Sequence, residues 1–150
     1  DGFYAEFERP SNESCEFWDA FFDRKLSQDV TNQIMTSGKP IVDYKNRTFV
    51  TNLQRAGFEC HIRKFEDIDA IAINTLDRGS FIFETVKNNY EVGVVFFMNT
   101  DGKMEYSIYR LGKHPEKSIL VNKIAESFGG GGHAGAAGFT TNGTLVVERK

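Results

Sequence analysis

Phe128-Gly129-Gly130-Gly131-Gly132-His133-Ala134-Gly135-Ala136-Ala137-Gly138-Phe139 gathers six of the chain's fourteen glycines between Gly129 and Gly138. A glycine inside a helix or strand costs roughly 0.5–1 kcal/mol relative to alanine. At this density the segment reads as neither. It reads as backbone in conformations closed to other residues, or as backbone that a ligand must approach closely. After a helix, such a run can turn its amides inward into a concave anion site, and His133 would add a donor or a positive charge there. No Lys-Ser/Thr follows and the run does not open a helix, so it is neither a P-loop nor a dinucleotide fingerprint. A plain packing joint between helix and strand stays open beside the anion-binding reading.

Outward from this segment, hydrophobic patterning sets the frame. Val92-Gly93-Val94-Val95-Phe96-Phe97-Met98 is the most apolar run and predicts a central strand, while Ala70-Ile71-Ala72-Ile73-Asn74 predicts a second strand buried on both sides. Asn99-Thr100-Asp101-Gly102 is a hairpin turn. Beyond it Met104, Tyr106 and Ile108 alternate with Glu105, Ser107 and Tyr109, so the two sets face opposite ways. Leu120, Val121, Ile124, Ala125 and Phe128 share one face of a last helix that starts at Pro115 or Ser118. Phe139–Thr141 and Thr144–Val147 read as strands joined by a hairpin at Asn142-Gly143. Glu59–Phe65 reads as one short strand, and Ser80 to about Asn89 as an amphipathic helix with Phe81, Ile82 and Val86 inward.

The first third is helical. Ser14 caps a stretch with Phe17 and Phe21 in register, whose aromatics suit core packing better than base stacking. A second helix starts near Asp29 and breaks at Ser37-Gly38-Lys39-Pro40, because proline fits only a first turn. A further helix runs to Ala56, with Gly57 as its C′ residue. The expected class is α/β, a mixed β-sheet with flanking helices in one domain at 58–150, preceded by a helical connector at 1–57.

Composition excludes several classes. A net charge of −3 argues against non-specific duplex binding. Residues 1–30 carry eight acidic against three basic side chains, and 103–125 carry five basic against two acidic. No run approaches the roughly 20 apolar residues of a membrane span, and no signal-peptide pattern is present. Cys15 and Cys60 are too few for a disulfide framework. The expectation is a soluble, cytoplasmic domain, and a start at Asp1 without methionine reads as a fragment or a processed piece.

The order of these features resembles one family. A buried strand, a hairpin, Tyr106-Ser107-Ile108-Tyr109-Arg110, a helix ending Lys123-Ile124-Ala125-Glu126-Ser127-Phe128, then Gly-Gly-Gly-Gly-His and Ala-Ala-Gly-Phe is similar to the C-terminal, DHH-associated domain of the DHH phosphoesterases. The match is close from about Asp69 to Val147, and looser through the helices of 16–57. The resemblance implies that Gly129, Gly130, Gly131, Gly132 and His133 face a cleft and contact a phosphate or terminal nucleotide. The family's Ser-Leu-Arg or Ser-Leu-Tyr pattern falls on Ser107-Ile108-Tyr109. Arg110 comes one place later, and a one-residue shift in a strand reverses the face. Asn74 and Ser80 are expected to border the same cleft.

The resemblance further implies a manganese-dependent phosphoesterase whose metal site lies in a separate N-terminal DHH domain, the partner of this one. This chain has no Asp-His-His triplet; its histidines are His61, His114 and His133. No metal is therefore expected here, and the implied ligand is a short single-stranded nucleic acid, a dinucleotide or another phosphate ester. A stand-alone nucleotide-binding module, akin to one at the C-terminus of alanyl-tRNA synthetases, is the alternative function. A structural or homodimerising domain is the third.

Overall fold

A computed structural model describes residues 27–114 and 119–150. The chain divides into two units, Asp1–Thr48 and Phe49–Lys150. The expected helix from Ser14 lies outside the described residues. Helix α1, Ser27–Ala56, is continuous through Pro40, which corrects the expected break at Ser37–Pro40. Proline removes one amide and crowds the carbonyl four residues back. The less exposed side of the helix nevertheless keeps its phase across that point, through Ile34, Gly38 and Ile41 to Thr48, Phe49 and Leu53. Gly57 ends the helix without a positive φ. Its amide donates to Leu53 O at 2.8 Å, and a Cβ there would meet that same oxygen at 2.4 Å. Close approach, not a left-handed turn, is what demands glycine at 57.

The second unit is built on one sheet. Strands β1 (Phe58–Ile62), β2 (Phe65–Asn74), β3 (Val92–Met98), β4 (Met104–Arg110), β5 (Gly131–His133), β6 (Ala136–Thr141) and β7 (Val147–Arg149) follow in chain order. They lie side by side as β5-β6-β4-β3-β2-β1-β7. Among these strands only β2 and β3 pair in parallel; every other pairing is antiparallel. The sheet is therefore mixed and the class α/β, as the sequence predicts, with β3 in the middle. Parallel neighbours need a crossover, and residues 75–91 supply it.

Alternation sorts the two faces. Val92, Val94, Phe96, Met104, Tyr106, Ile108 and Phe139 form one, against helix α2 (Val121–Glu126) with Val121, Ile124 and Ala125 buried. Phe96, Tyr106, Phe139 and Phe128 stack in series there, with centroids 6.0, 4.6 and 4.7 Å apart. On the other face Ile71, Ile73 and Val95 meet Phe49 and Leu53 of α1 and Ile82 and Phe83 of the crossover.

Four expectations need correction. The strand expected at Glu59–Phe65 is a hairpin corner: Ile62 pairs with Phe65 across a two-residue turn in which Lys64 takes φ 71°. Positive φ is uncommon outside glycine, so no turn residue announces it. The helix expected at Ser80–Asn89 is a 3₁₀ turn, Ser80–Phe83, followed by further i→i+3 bonds to Asn89. Phe81 is exposed and Phe83 is fully buried. The hairpin expected at Asn142-Gly143 is only a turn, because β7 crosses to pair with β1. Tyr106 guides that crossing, donating from Oη to Thr144 O at 3.2 Å and accepting from Val146 N at 3.1 Å. Finally, Gly131–His133 do form a strand, a short edge one. The helical part of 119–128 is also short, and Leu120 precedes it exposed. Pro115–Ser118 lie outside the described residues.

Phe83 fits because Gly93 has no side chain: a Cβ there would lie 2.5 Å from the Phe83 ring. Gly93→Ala is expected to destabilise the unit by about 1–3 kcal/mol through overpacking, read from the midpoint of urea unfolding. A second expectation concerns pH. Asp69 is held between Lys113 and Lys150, each at 2.5 Å. Hydrogen bonds first from Lys113 and then from Lys150 bring its carboxyl from 3.8 down to about 2. A depressed carboxyl pKa contributes stability above the unfolded value and loses it as pH falls through the folded one. Asp69→Asn should therefore be less stable than the parent at pH 5, and the gap should close between about pH 4 and pH 2.

Candidate functional site

The glycine run begins as a helix cap. Gly129 takes φ +81°, its amide donates to Glu126 O at 3.0 Å, and the next amide, of Gly130, donates back to Ala125 O at 2.9 Å. These paired bonds with a left-handed glycine make a Schellman ending. The first two glycine amides are thus spent on α2 and do not turn inward as part of a nest.

From there the backbone presses onto β6. A Cβ on Gly130 would lie 2.2 Å from Gly138 O and 2.4 Å from Phe139 Cβ. Gly131, Gly132 and His133 then pair with Gly138, Ala137 and Ala136. As an edge strand β5 leaves outward backbone groups that the sheet does not pair. By register Gly131, Gly138 and Ser107 stand in one row on the crossover face, and His133, Ala136 and Tyr109 in the next. The first of these rows carries only the small side chain of Ser107.

Beside this bare area lies an open hollow of about 400 Å³, lined by Arg78, Glu105, Tyr106, Ser107, Gly129, Gly130, Gly138, Phe139 and Thr140. Arg78 Nη2 donates to Glu105 Oε2 at 2.7 Å, and its guanidinium carbon stands 5.2 Å from the centre of the Phe97 ring. Glu105 Oε1 accepts from Asn99 Nδ2 at 3.0 Å. Gly79 N donates to Tyr109 Oη at 2.8 Å, so Tyr109 fixes the loop that carries Arg78.

Of the residues expected from sequence, Ser107, Gly129 and Gly130 line the hollow. Gly131, Gly132 and His133 run on from it along the edge, with His133 exposed. Tyr109 lies one step along the same face and acts through the Arg78 loop. Arg110 falls on the opposite face from Ser107 and is exposed; its amide donates to Gly135 O at 3.0 Å. Asn74 ends β2 and Ser80 opens the 3₁₀ turn, both exposed and neither lining the hollow.

Sequence reasoning passed over Arg78, Glu105 and Thr140. Glu105 was within reach, since it shares the strand face of Ser107. Arg78 had a topological signal: it follows the end of one of two parallel strands, where open α/β sheets place their ligands.

Among the described residues no group of three or more His, Cys, Asp or Glu side chains stands where it could hold a metal ion. His61 Nδ1 lies 2.9 Å from Glu66 O, which requires the proton on that nitrogen and ties the ring to its own hairpin. Cys60 is fully buried, and desolvation pushes its thiol from 9.0 up to about 12, which leaves it unreactive near neutral pH. No helix among the described residues is long and apolar enough to cross a membrane.

One comparison decides the family: the model of the DHHA1 domain matches residues 66–149, more than half of the chain. The chain belongs to the DHHA1 family. No curated protein matches it. Among solved structures, the pGpG-specific phosphodiesterase PggH from Vibrio cholerae superposes with a TM-score of 0.51 at 14% identity, over 77% of this chain and 38% of that one. A DHH domain described as belonging to a family of ribosomal proteins gives 0.50 at 12%, over 85% and 36%. An exopolyphosphatase-related protein from Bacteroides fragilis matches at 0.41 and 17%, over 83% and 40%. At such identities the first two likenesses speak for the fold alone. The DHHA1 chain spans about two-fifths of the length of these structures.

The DHHA1 glycines divide by what a side chain would meet. Gly130→Ala should lower the thermal midpoint clearly, because backbone on β6 blocks its Cβ. Gly131→Ala should leave stability near that of the parent, since nothing lies within 4 Å of a Cβ there. Equal losses in calorimetry would contradict this division.

Proposed function

We propose that this chain is the substrate-holding part of a manganese-dependent, DHH-type phosphoesterase that hydrolyses phosphodiester bonds in short oligonucleotides or dinucleotides. The metal-bearing catalytic domain is a separate domain of the same protein or a partner. The observation that carries the reading is the hollow beside the bare backbone of β5 and β6, with Arg78 at its rim. A glycine surface lets a sugar–phosphate chain lie against the main chain. Ser107 and Thr140 offer hydroxyls that both donate and accept. Arg78 uses one of its five N–H groups on Glu105 and keeps others for an anionic oxygen. His133, exposed along the edge, supplies a further donor to a phosphate beyond the hollow.

PggH is a phosphodiesterase specific for pGpG, which supports a short phosphodiester as the substrate class. The role of this domain is then positional. Holding the far end of the substrate converts binding energy into orientation of the scissile bond at a metal site elsewhere. On its own the chain binds and does not hydrolyse.

The test is an NMR titration of the 150-residue chain with a 5′-phosphorylated diribonucleotide, first without and then with manganese. Saturable shifts are expected at Arg78, Ser107 and Gly129–His133, with no cleavage product. Arg78→Gln should weaken binding about tenfold, as loss of a hydrogen bond to a charged group implies, and His133→Ala should weaken it with the fold intact. Absence of saturable shifts would overturn the binding role. Cleavage on adding manganese would overturn the separate metal site.

A further inference from the structure

The hollow is charged but close to neutral, and that combination selects what fits it. Arg78 and Glu105 form an ion pair at 2.7 Å within its lining, so a phosphate placed there gains from the guanidinium and loses to the carboxylate. An ionised carboxylate only accepts hydrogen bonds, with about four acceptor positions. The structure fills two of them, from Arg78 Nη2 at 2.7 Å and Asn99 Nδ2 at 3.0 Å. The remaining capacity calls for donors, and a phosphate oxygen is the wrong partner.

The surroundings narrow the donor further. Thr140 stands directly across from Glu105 on the neighbouring strand, and Ser107 lies two residues along on the same face. Same-face neighbours on a strand are about 6.6 Å apart, the breadth of a furanose ring with its hydroxyls. A base would want a flat apolar slot, whereas this lining is hydroxyl, carboxylate, guanidinium and backbone, because the rings of its two aromatic residues, Tyr106 and Phe139, are buried in the stack on the other face. Of the three parts of a nucleotide, the sugar is the one that brings adjacent O–H donors.

We infer that Glu105, with Thr140 and Ser107 beside it, reads a vicinal diol, so that this domain prefers a terminal ribose with free 2′- and 3′-hydroxyls over a deoxyribose. The inference rests on the hollow being the nucleotide site proposed above. Arg78 has two tasks in this arrangement. It orients the Glu105 carboxylate, and its free N–H groups face the phosphate attached to the sugar. Glu105 is then a specificity residue that adds to ribose binding and opposes a bare phosphate.

The experiment compares dissociation constants of the 150-residue chain for three 5′-phosphorylated diadenylates. They differ only in the last sugar, which is ribose, 2′-deoxyribose or 3′-deoxyribose. The parent is expected to bind the ribose form about tenfold more tightly than either deoxy form, as one hydrogen bond to a charged acceptor implies. Glu105→Gln should bring the three to within about twofold while still binding all of them. Because the ligand series is run on the unaltered chain, it stands even if that variant fails to fold. Equal affinities in the parent, or a ribose preference that survives in folded Glu105→Gln, would overturn the diol reading and leave nucleotide binding in place. Failure of all three ligands to bind the parent would overturn the nucleotide site and the diol reading together.

Discussion

Two backbones touch at Gly130, and the arrangement of β5, β6 and the hollow beside them follows from that contact. The space between Gly130 and Gly138 O excludes even a methyl group, since a Cβ would stand 2.2 Å from the oxygen. Because they meet, the chain can leave α2 through a Schellman ending and enter β5 without a connecting loop. β5 then adds to the edge of β6, and the glycine surface is laid flat beside the hollow. A side chain at 130 would have to push this segment off β6. The entropy that glycine loses on folding is the cost of that approach.

The sequence exposed these features unequally, and the difference is physical. Strands β3 and β4 were legible because each buries a face large enough to impose its own period, and Asn99-Gly102 because its turn chemistry is local. Pro40 misled, since a local rule about proline yielded to a helix side that stays in phase on both flanks. The corner at Arg63-Lys64 was silent because lysine at positive φ carries no signal. β7 could not be placed from Asn142-Gly143, since what sends it to β1 is the hydroxyl of Tyr106, some 40 residues away. In the site, Ser107, Gly129 and Gly130 were readable from pattern and resemblance. Arg78 and Glu105 lie 27 residues apart in sequence, and only the parallel β2–β3 pairing with its crossover brings them together.

The ion pair also reconciles the acidic composition with the phosphate-bearing ligand proposed for the hollow. A net charge of −3 sets the field far from the surface, and that field is screened within about 10 Å at ordinary ionic strength. Recognition at the hollow depends instead on which donors and acceptors point inward. Arg78 is held on two sides, by Glu105 and by the Phe97 ring, and its loop is tied down through Tyr109. Such a guanidinium gives up less freedom on meeting an anion than a loose surface lysine would. The pair contributes little to stability, being partly exposed. Its consequence is orientation.

The two faces of the sheet divide the labour. The face under α2 is filled by stacked rings from Phe96 through Tyr106 and Phe139 to Phe128, a rigid and well-packed layer. On the opposite face Val95 of β3 packs against the crossover, but Ser107 of β4, Ala136 and Gly138 of β6 and Gly131 of β5 fill nothing. The bare part of this face is held in shape by strands that are fixed from behind. Tyr106 makes the connection directly: its ring sits in the stack, its hydroxyl bonds Thr144 and Val146, and its backbone borders the close contact at Gly138, whose Cβ would meet Tyr106 O at 2.9 Å. Packing on one side thereby sets the position of Glu105 and Ser107 on the other. Phe96, Phe139 and Phe128 thus support the hollow from behind, with their rings in the stack on the far face.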